Sequence, residues 1–552
     1  MKRLLVVVMM ILHCFSFGQA SNWIWGRQAS GNGVQEGMSI AGDSFGNYYA
    51  TGSYDSIMHF GSIIIPNAGH SDMFLVKYDG SGNVIWARSA GGISYDSGNS
   101  VTIDFSGNVY VTGFFLGTTI IFDTDTVTTT GGGAHMFIAK YSAAGNILWA
   151  NCTRGVSDNS FGHSVITDGS GNVFVTGYFE GANLIVGNDT LTNVSPPQND
   201  IFLIKFSNLG TILWAKSAGG LGDDKSYSTT IDLTGNVYIT GNYQFYPMIV
   251  DSDTLSYAGD KDIFIAKYST GGSLLWAKGI GGSYNDEGNS VATDISGNVY
   301  LTGYFGSQTI VFGSDTLTNS GGTDIYIVKF SSSGNILLTK SAKGNNYDAG
   351  FFITTDASGV YLTGGFNSSF ISFASDTVFF PTGGTDPMFI VKFDSNLNVI
   401  CASELASGGD DQNALITDSF GNIYIAGDLE TNTIIIGGDT LSMPPNSEIF
   451  FIAKYFCAGG NIVKEIINQE TITISPNPFS SQTTITFSSE QKNTTIKVIS
   501  VLGETIQQIT TSNKQLTLDM TGYARGIYFV RIEENGSASS PNNVVNKKIV
   551  VQ

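Results

Sequence analysis

The stretch Asp294-Ile295-Ser296-Gly297-Asn298-Val299-Tyr300-Leu301-Thr302-Gly303 decides the fold. Its second half is β-branched and aromatic, which suits a strand. Its first half is a tight turn: the Asp carboxylate can accept backbone N–H groups, and Gly supplies a positive φ. The phrase recurs seven times, with Asp43, Asp104, Asp168, Asp232, Asp294, Asp356 and Asp418 at spacings of 61, 64, 64, 62, 62 and 62. In the second copy the turn residues are Asp104, Gly107 and Asn108. The sixth copy departs, because Gly359 runs straight into Val360 and the Asn is missing.

Three further phrases share this period. One reads Asp-Ile-Phe-Ile-Ala-Lys-Tyr, with Lys77, Lys140, Lys205, Lys267, Lys329, Lys392 and Lys454. Another, Leu-Trp-Ala-Lys, centres on Trp25, Trp86, Trp149, Trp214 and Trp276; Leu338 and Cys401 hold its place in two copies. A Ser-Val-x-x-Asp run such as Ser290 to Asp294 precedes most of the turns. That gives four strands per repeat with no amphipathic helical stretch between them. Four-stranded antiparallel units repeated about an axis are propeller blades. The period exceeds the roughly 40–50 residues of common propeller repeats. The surplus holds a Phe-Gly-x-Asp-Thr-Leu segment, Phe312 to Leu317 in one copy, which predicts an extra hairpin.

The phase of the repeats predicts how they join. The Trp25 phrase precedes any full repeat, and no Trp phrase follows Lys454. Pairing the strand near Trp23 to Arg27 with the last repeat would remove two open sheet edges. The expectation is an all-β chain: a seven-bladed β-propeller over 21–456, closed by its N-terminal strand, then a small C-terminal β-sandwich. These residues resemble the bacterial SBBP-type β-propeller repeat, whose signature is the Gly-Asn-Val-Tyr-Val-Thr-Gly core.

Composition agrees. Gly numbers 68 of 552 and Pro only 11, so the chain is not collagen-like or a Pro-rich linker. Of those Gly, 63 lie in 21–470, where they mark turns. Apolar residues at 42% and aromatics at 12% exclude global disorder. The net charge of −20 argues against a nucleic-acid partner. It divides into −24 over 21–470 and +2 over each flank.

The N-terminus reads as a signal peptide, 1–20. Lys2 and Arg3 precede an apolar run from Leu4 to Leu12, with Gly18 and Ala20 before the cut; cleavage after Gln19 is the near alternative. No stretch elsewhere has 18 apolar residues, so no transmembrane segment is expected. Cys152, Cys401 and Cys457 remain after the leader, too few and too odd for a full disulfide framework. Whether Cys401 and Cys457 pair stays open.

Beyond a linker at 457–470, the segment 471–552 loses the repeat. Short strands are expected at Thr483 to Phe487, Thr495 to Ile499, Gln515 to Leu518, Ile527 to Ile532 and Lys548 to Val551. The segment carries Pro476-Asn477-Pro478-Phe479, Val501-Leu502-Gly503-Glu504, Leu516 to Asp519, Gly526-Ile527-Tyr528-Phe529-Val530, and Lys547-Lys548-Ile549-Val550-Val551. It resembles the type A C-terminal sorting domain of the type IX secretion system of Bacteroidota. The resemblance implies export by Sec and then by the type IX machinery as partner. The destination is the outer cell surface or the medium, with the tail usually removed. An ordinary adhesive C-terminal β-domain is the alternative.

Catalytic signals are weak. Gly42-Asp43-Ser44-Phe45-Gly46 fits the hydrolase elbow pattern, but it is one of the repeated turns and lacks the strand-to-helix context. His59, His70, His135 and His163 show no metal spacing. The Lys267-type ammonium and the turn Asp should be neighbours, as an exposed ion pair ordering each blade, with a ligand role as the alternative. An acidic ring is expected at Asp96, Asp158, Asp223, Asp286, Asp348 and Asp410. Their expected role is loop hydrogen bonding, with weak Ca²⁺ binding as the alternative, and no other cofactor is expected. The chain reads as an exported, non-enzymatic binding or scaffold module for a glycan or protein ligand. Its contact surface is placed on the face of the acidic loops and inserted hairpins. The alternatives are a polysaccharide hydrolase or lyase, which would need acid and base groups breaking the repeat symmetry, and a surface-layer component.

Overall fold

The computed structural model describes residues 23–551 apart from 156–158, 374–375, 380–386, 408–413, 419–420, 430–432, 437–438, 445–446, 458–472, 478, 488–493, 501–504 and 535–543. The leader, Asp158, Asp410, Pro478, the 501–504 motif and most of the expected linker lie outside the described residues. The chain divides into two compact units, Met1–Ala458 and Gly459–Gln552.

The first unit is built from repeated antiparallel meanders. In the fifth repeat the strands Asp286–Thr293, Val299–Phe305, Asp324–Phe330 and Ile336–Ala342 pair in chain order. Asp324–Phe330 is buried along its whole length, and Val299–Phe305 at all but one position. Both faces of these strands are covered, which is why they read as nearly continuous apolar runs. Seven four-stranded groups of this kind are present among the described residues. The extra hairpins form between the second and third strands, as in Thr309–Phe312 with Asp315–Thr318. Two of them extend the outer strand of the preceding repeat, through Ile121 opposite Gly91 and Val250 opposite Ala218.

The seventh group takes its outer strand from the N-terminus. Trp23–Gln28 pairs antiparallel with Ile449–Phe456, Trp25 opposite Lys454. The first and last repeats also touch face to face. Ala50, Phe74 and Tyr78 share an apolar cluster with Ala426, Phe450 and Ile452, and Tyr48 stacks on Tyr424 at 3.7 Å. Successive repeats pack in the same manner, as where Tyr238 and Ile263 meet Val299 and Leu301.

Polar ties cross the boundaries between successive repeats. Lys267 Nζ and Trp276 Nε1 both donate to the Ser332 carbonyl in the next repeat, at 3.0 and 3.2 Å. Lys77 with Trp86 do the same to Ala143, and Lys140 with Trp149 to Asn208. Gly272 lies against Trp214 at φ 84°, where a Cβ would come within 2.9 Å of the indole. Gly alone tolerates both that φ and that approach.

One boundary is covalent. Cys401 stands in the Trp position, and Cys457 stands three residues after Lys454, as Ala143 stands three after Lys140. The two form a disulfide. Cys457 is therefore buried in the first unit's core, not part of the linker expected at 457–470.

The second unit has two antiparallel sheets. One holds Thr473–Ser475, Gln482–Thr486 and Gln515–Asp519; the other holds Thr505–Thr511, Thr494–Ser500, Gly526–Glu534 and Val544–Val551. Phe479, Ile485, Ile496, Leu518, Val530 and Ile549 share its core. Thr473–Ser475 and Thr505–Thr511 add two strands to the five expected.

Candidate functional site

The repeated turns behave as structural clamps. Asp104 accepts the Ser106 and Asn108 N–H groups at 2.9 Å, the Asn108 amide at 2.8 Å and the Tyr110 hydroxyl at 3.0 Å. Gly107 and Gly297 take φ near 79° and 78°. Asp294 and Asn298 repeat the pattern. Asp43 does likewise, so Gly42 to Gly46 is a clamp.

Four of the strand Lys residues meet the turn Asp residues, at 4.0 Å for Lys77–Asp43, 3.8 Å for Lys140–Asp104, 3.4 Å for Lys205–Asp168 and 3.1 Å for Lys267–Asp232. The pairs are buried rather than exposed as expected. Each Lys also lies over a ring, Lys267 being 4.8 Å from Tyr238. Burial lowers the Lys77 and Lys140 ammonium pKa values, and the Asp charges partly restore them.

The acidic ring is differently placed. Asp96, Asp286 and Asp348 begin inner strands and are fully buried. Asp96 and Asp286 accept the N–H groups of Gly92 and Gly282 at 2.6 and 2.7 Å, and Asp348 accepts the Ser368 hydroxyl. Asp224 holds this place in the fourth repeat, bonded to Gly220 N–H. Asp223 is one residue out and instead accepts from Asn199. Ser160 holds the third-repeat place, because the loop lengths differ. Across four boundaries a second buried carboxyl stands at or beside a strand start: Asp72, Asp200, Asp262 and Asp324. Burial pushes Asp96 up to about 7, Asp224 to about 8 and Asp348 to about 6. Among the described residues no group of three or more His, Cys, Asp or Glu is arranged to hold a metal.

The most distinctive site is a cavity of about 850 Å³ lined by the inner strands. In six repeats the inner strand carries a β-bulge one residue after its Gly or Ser, marked by register shifts at Gly37/Ser39, Gly162/Ser164, Ser226/Ser228, Gly288/Ser290 and Gly350/Phe352, and by Ser100 and Gly98 facing adjacent residues Thr112 and Gly113. The extra residues are Met38, Asn99, His163, Tyr227, Asn289 and Phe351, and all six line the cavity. A bulge leaves its residue out of the ladder and re-aims the side chain. Asn99 and Asn289 use it to tie onto the next repeat, donating to Gly162 and Gly350 carbonyls. The other four break the repeat.

Around them stand Glu36, Phe114, Phe161, Tyr178, Glu287 and Tyr304. Glu36 accepts the Ser53 hydroxyl at 2.9 Å. Glu287 pairs with Lys261 at 2.6 Å. His163 stacks on Tyr178 at 5.0 Å; burial, then the Lys225 charge, lowers its pKa to about 4, so it is neutral at pH 7. Burial and neighbouring carboxylates keep Tyr227 and Tyr304 as phenols. Tyr95, Ser71 and Asp55 come from loops at the end that carries the acidic residues. The symmetry breaking that the sequence did not reveal as an insertion is thus made by substitution. The signal was legible at inner-strand positions where the repeats disagree: the bulge residue and the residue two before it, Glu36, Phe161 and Glu287 among them. His59, His70 and His135 are not among the residues lining this cavity.

Several sorting-motif residues take part in the fold of the second unit. Thr483 donates to the Pro476 carbonyl and Tyr528 to Ala524. Gly526 begins a strand whose Phe529 and Val530 face Lys548 and Lys547 in the last strand. Asn477 follows Pro476 just ahead of the core residue Phe479.

The fold and its clamps define a β-propeller repeat protein: residues 85–113 and 275–304 match the family described as "Beta-propeller repeat". Residues 473–552 match the family described as "Secretion system C-terminal sorting domain". The chain therefore carries propeller repeats ahead of a sorting domain that directs it through type IX secretion to the cell surface or the extracellular space. An uncharacterized WD repeat-containing protein of Acanthamoeba polyphaga mimivirus is 28% identical over 435 residues, covering 64% of this chain and 31% of that protein. The regulatory protein FlaEY of Caulobacter vibrioides is 27% identical over 144 residues, covering 25% and 15%. The chain thus spans less than a third of the length of these curated relatives. Among solved structures, PorZ, a surface component of the type IX secretion system of Porphyromonas gingivalis, is 10% identical, covering 94% of this chain and 81% of its own, with a TM-score of 0.22. A fungal alcohol oxidase in complex with copper is 13% identical, covering 96% and 99%, with a TM-score of 0.38. Among the described residues no helix is long and apolar enough to cross a membrane.

Proposed function

We propose that this protein is an exported, non-enzymatic binding module whose seven repeats form one ring around its ligand site. The supporting observation is the set of bulge residues: in six repeats the inner strand turns an out-of-ladder side chain into a shared cavity, and four of these residues break the repeat. A purely structural surface-layer role would have no need of that variation. The Cys401–Cys457 disulfide suits a protein that works outside the reducing cytosol. Among the cavity acids, Glu287 is paired with Lys261 and Glu36 accepts the Ser53 hydroxyl. The test is a screen of the purified chain against arrayed glycans and extracellular proteins, alongside polysaccharide turnover assays. Binding that is lost in Tyr227→Ala supports the reading. Turnover of any polysaccharide would replace it with the enzymatic one.

A further inference from the structure

Resting on that reading, we infer that the cavity takes an uncharged pyranose oligosaccharide. Five rings form a continuous wall across the second to fourth repeats. Phe114 meets Phe161 at 5.0 Å, Phe161 meets Tyr178 at 5.2 Å, and His163 joins Tyr178 to Tyr227 at 5.0 and 5.7 Å. All of these side chains are half-buried. A half-open ring face offers apolar area without a hydrogen-bond demand, and the C–H face of a pyranose has the matching character.

The remaining lining supplies what sugar hydroxyls need. Glu36 and Glu287 are acceptors, the Tyr304 phenol can donate, and Ser97, Ser164 and Ser228 can do either. The cavity volume of about 850 Å³ falls within the range of ordinary ligand pockets and leaves room for several sugar rings. Charge then narrows the class. Among the described residues no Lys or Arg lines the cavity, whereas Glu36, Asp55 and Glu287 do; the nearby Lys261 is engaged by Glu287, and Lys225 lies over the Tyr178 ring. A uronate or sulfated glycan would meet like charge with no cation lining the cavity to pair with it.

The experiment is calorimetry on the full chain. The probes are neutral hexaoses of β-1,3-glucan, β-1,4-glucan, xylan and mannan, with hexagalacturonate as the charged comparison. At least one neutral hexaose should bind, and hexagalacturonate should not. Tyr178→Ala and Tyr227→Ala should each weaken binding about tenfold, the loss of one stacking contact. Tyr178→Phe should bind as the parent does, and Tyr257→Ala, an exposed ring outside the cavity, should change nothing. Phe351→Ala tests the cavity independently if a Tyr variant fails to fold. Tighter binding of hexagalacturonate, or neutral binding untouched by all three cavity variants, overturns the inference. Binding of a protein ligand that needs Tyr227, with no hexaose bound, overturns the sugar assignment and leaves the binding-module reading standing. No cavity-dependent binding of any ligand overturns both.

Discussion

Replacing Lys267 with Ala removes one ammonium that serves three partners at once. Its Nζ donates to the Ser332 carbonyl at 3.0 Å, stands 3.1 Å from Asp232 Oδ2 and lies 4.8 Å over the Tyr238 ring. Lys267 is 6% exposed and Asp232 8%, so water does not replace the lost contacts freely. Breaking one side of a buried ion pair costs about 3–5 kcal/mol. Asp232 keeps bonds from Thr234, Asn236 and Tyr238, which holds the loss near the lower end, about 3 kcal/mol. Unfolding entropy near 2.1 cal/mol/K per residue gives about 0.9 kcal/mol/K for roughly 430 residues, so Tm should fall by about 3 °C. Scanning calorimetry of the parent and the variant reads this directly, and ligand binding should be unchanged. A Tm shift below about 1 °C would refute the clamp role. Lost binding at unchanged Tm would make Lys267 a ligand group instead.

Reduction of Cys401–Cys457, or Cys457→Ser, should destabilise the first unit by about 4 kcal/mol, since the bond closes a span of 56 residues; denaturant unfolding with and without reductant measures it, and an unchanged midpoint would deny the disulfide its latch role. Five buried carboxyls, Asp96, Asp200, Asp224, Asp262 and Asp348, have folded pKa values raised by burial to about 6–8, above their unfolded values. Their contribution is therefore fully present below about pH 4 and is lost as pH rises through about 6–8, so Tm should be higher at pH 5 than at pH 8. Asp224→Asn should raise Tm at pH 8 and shrink that difference; a Tm that climbs from pH 5 to pH 8 would contradict the sign. Deleting residues 21–28 removes the strand paired with Ile449–Phe456 and should leave a chain that aggregates through the open edge, read by light scattering. A monodisperse, equally stable deletion would show that the strand is dispensable.

Much of the fold was legible because it is written locally. The Asp-x-x-Gly-Asn turn contains its own hydrogen-bond partners, and the buried Val299 and Tyr326 strands announce themselves by composition. The phase of Trp25 against Lys454 pointed to the pairing of first and last repeats. The Lys267–Asp232 contact followed from strand order, but its burial did not, because the covering hairpin belongs to the next repeat. The disulfide was hidden for the same reason: Cys401 and Cys457 correspond only once Trp276 is seen reaching Ser332. Asp223 was misplaced by one because the loop before the inner strand varies in length, and only the register fixes Asp224. The cavity escaped notice because reading repeats favours what they share. Met38, His163, Tyr227 and Phe351 occupy the position where they differ, and a bulge has no sequence signature of its own.

Side-chain oxidative footprinting of the chain with and without its bound ligand tests the central claim most directly. Tyr178, Tyr227 and Phe351 should lose reactivity together while Tyr257 and Tyr284 keep theirs. Protection of Tyr257 and Tyr284 with the cavity rings unchanged would place the ligand on the outer loops and contradict it.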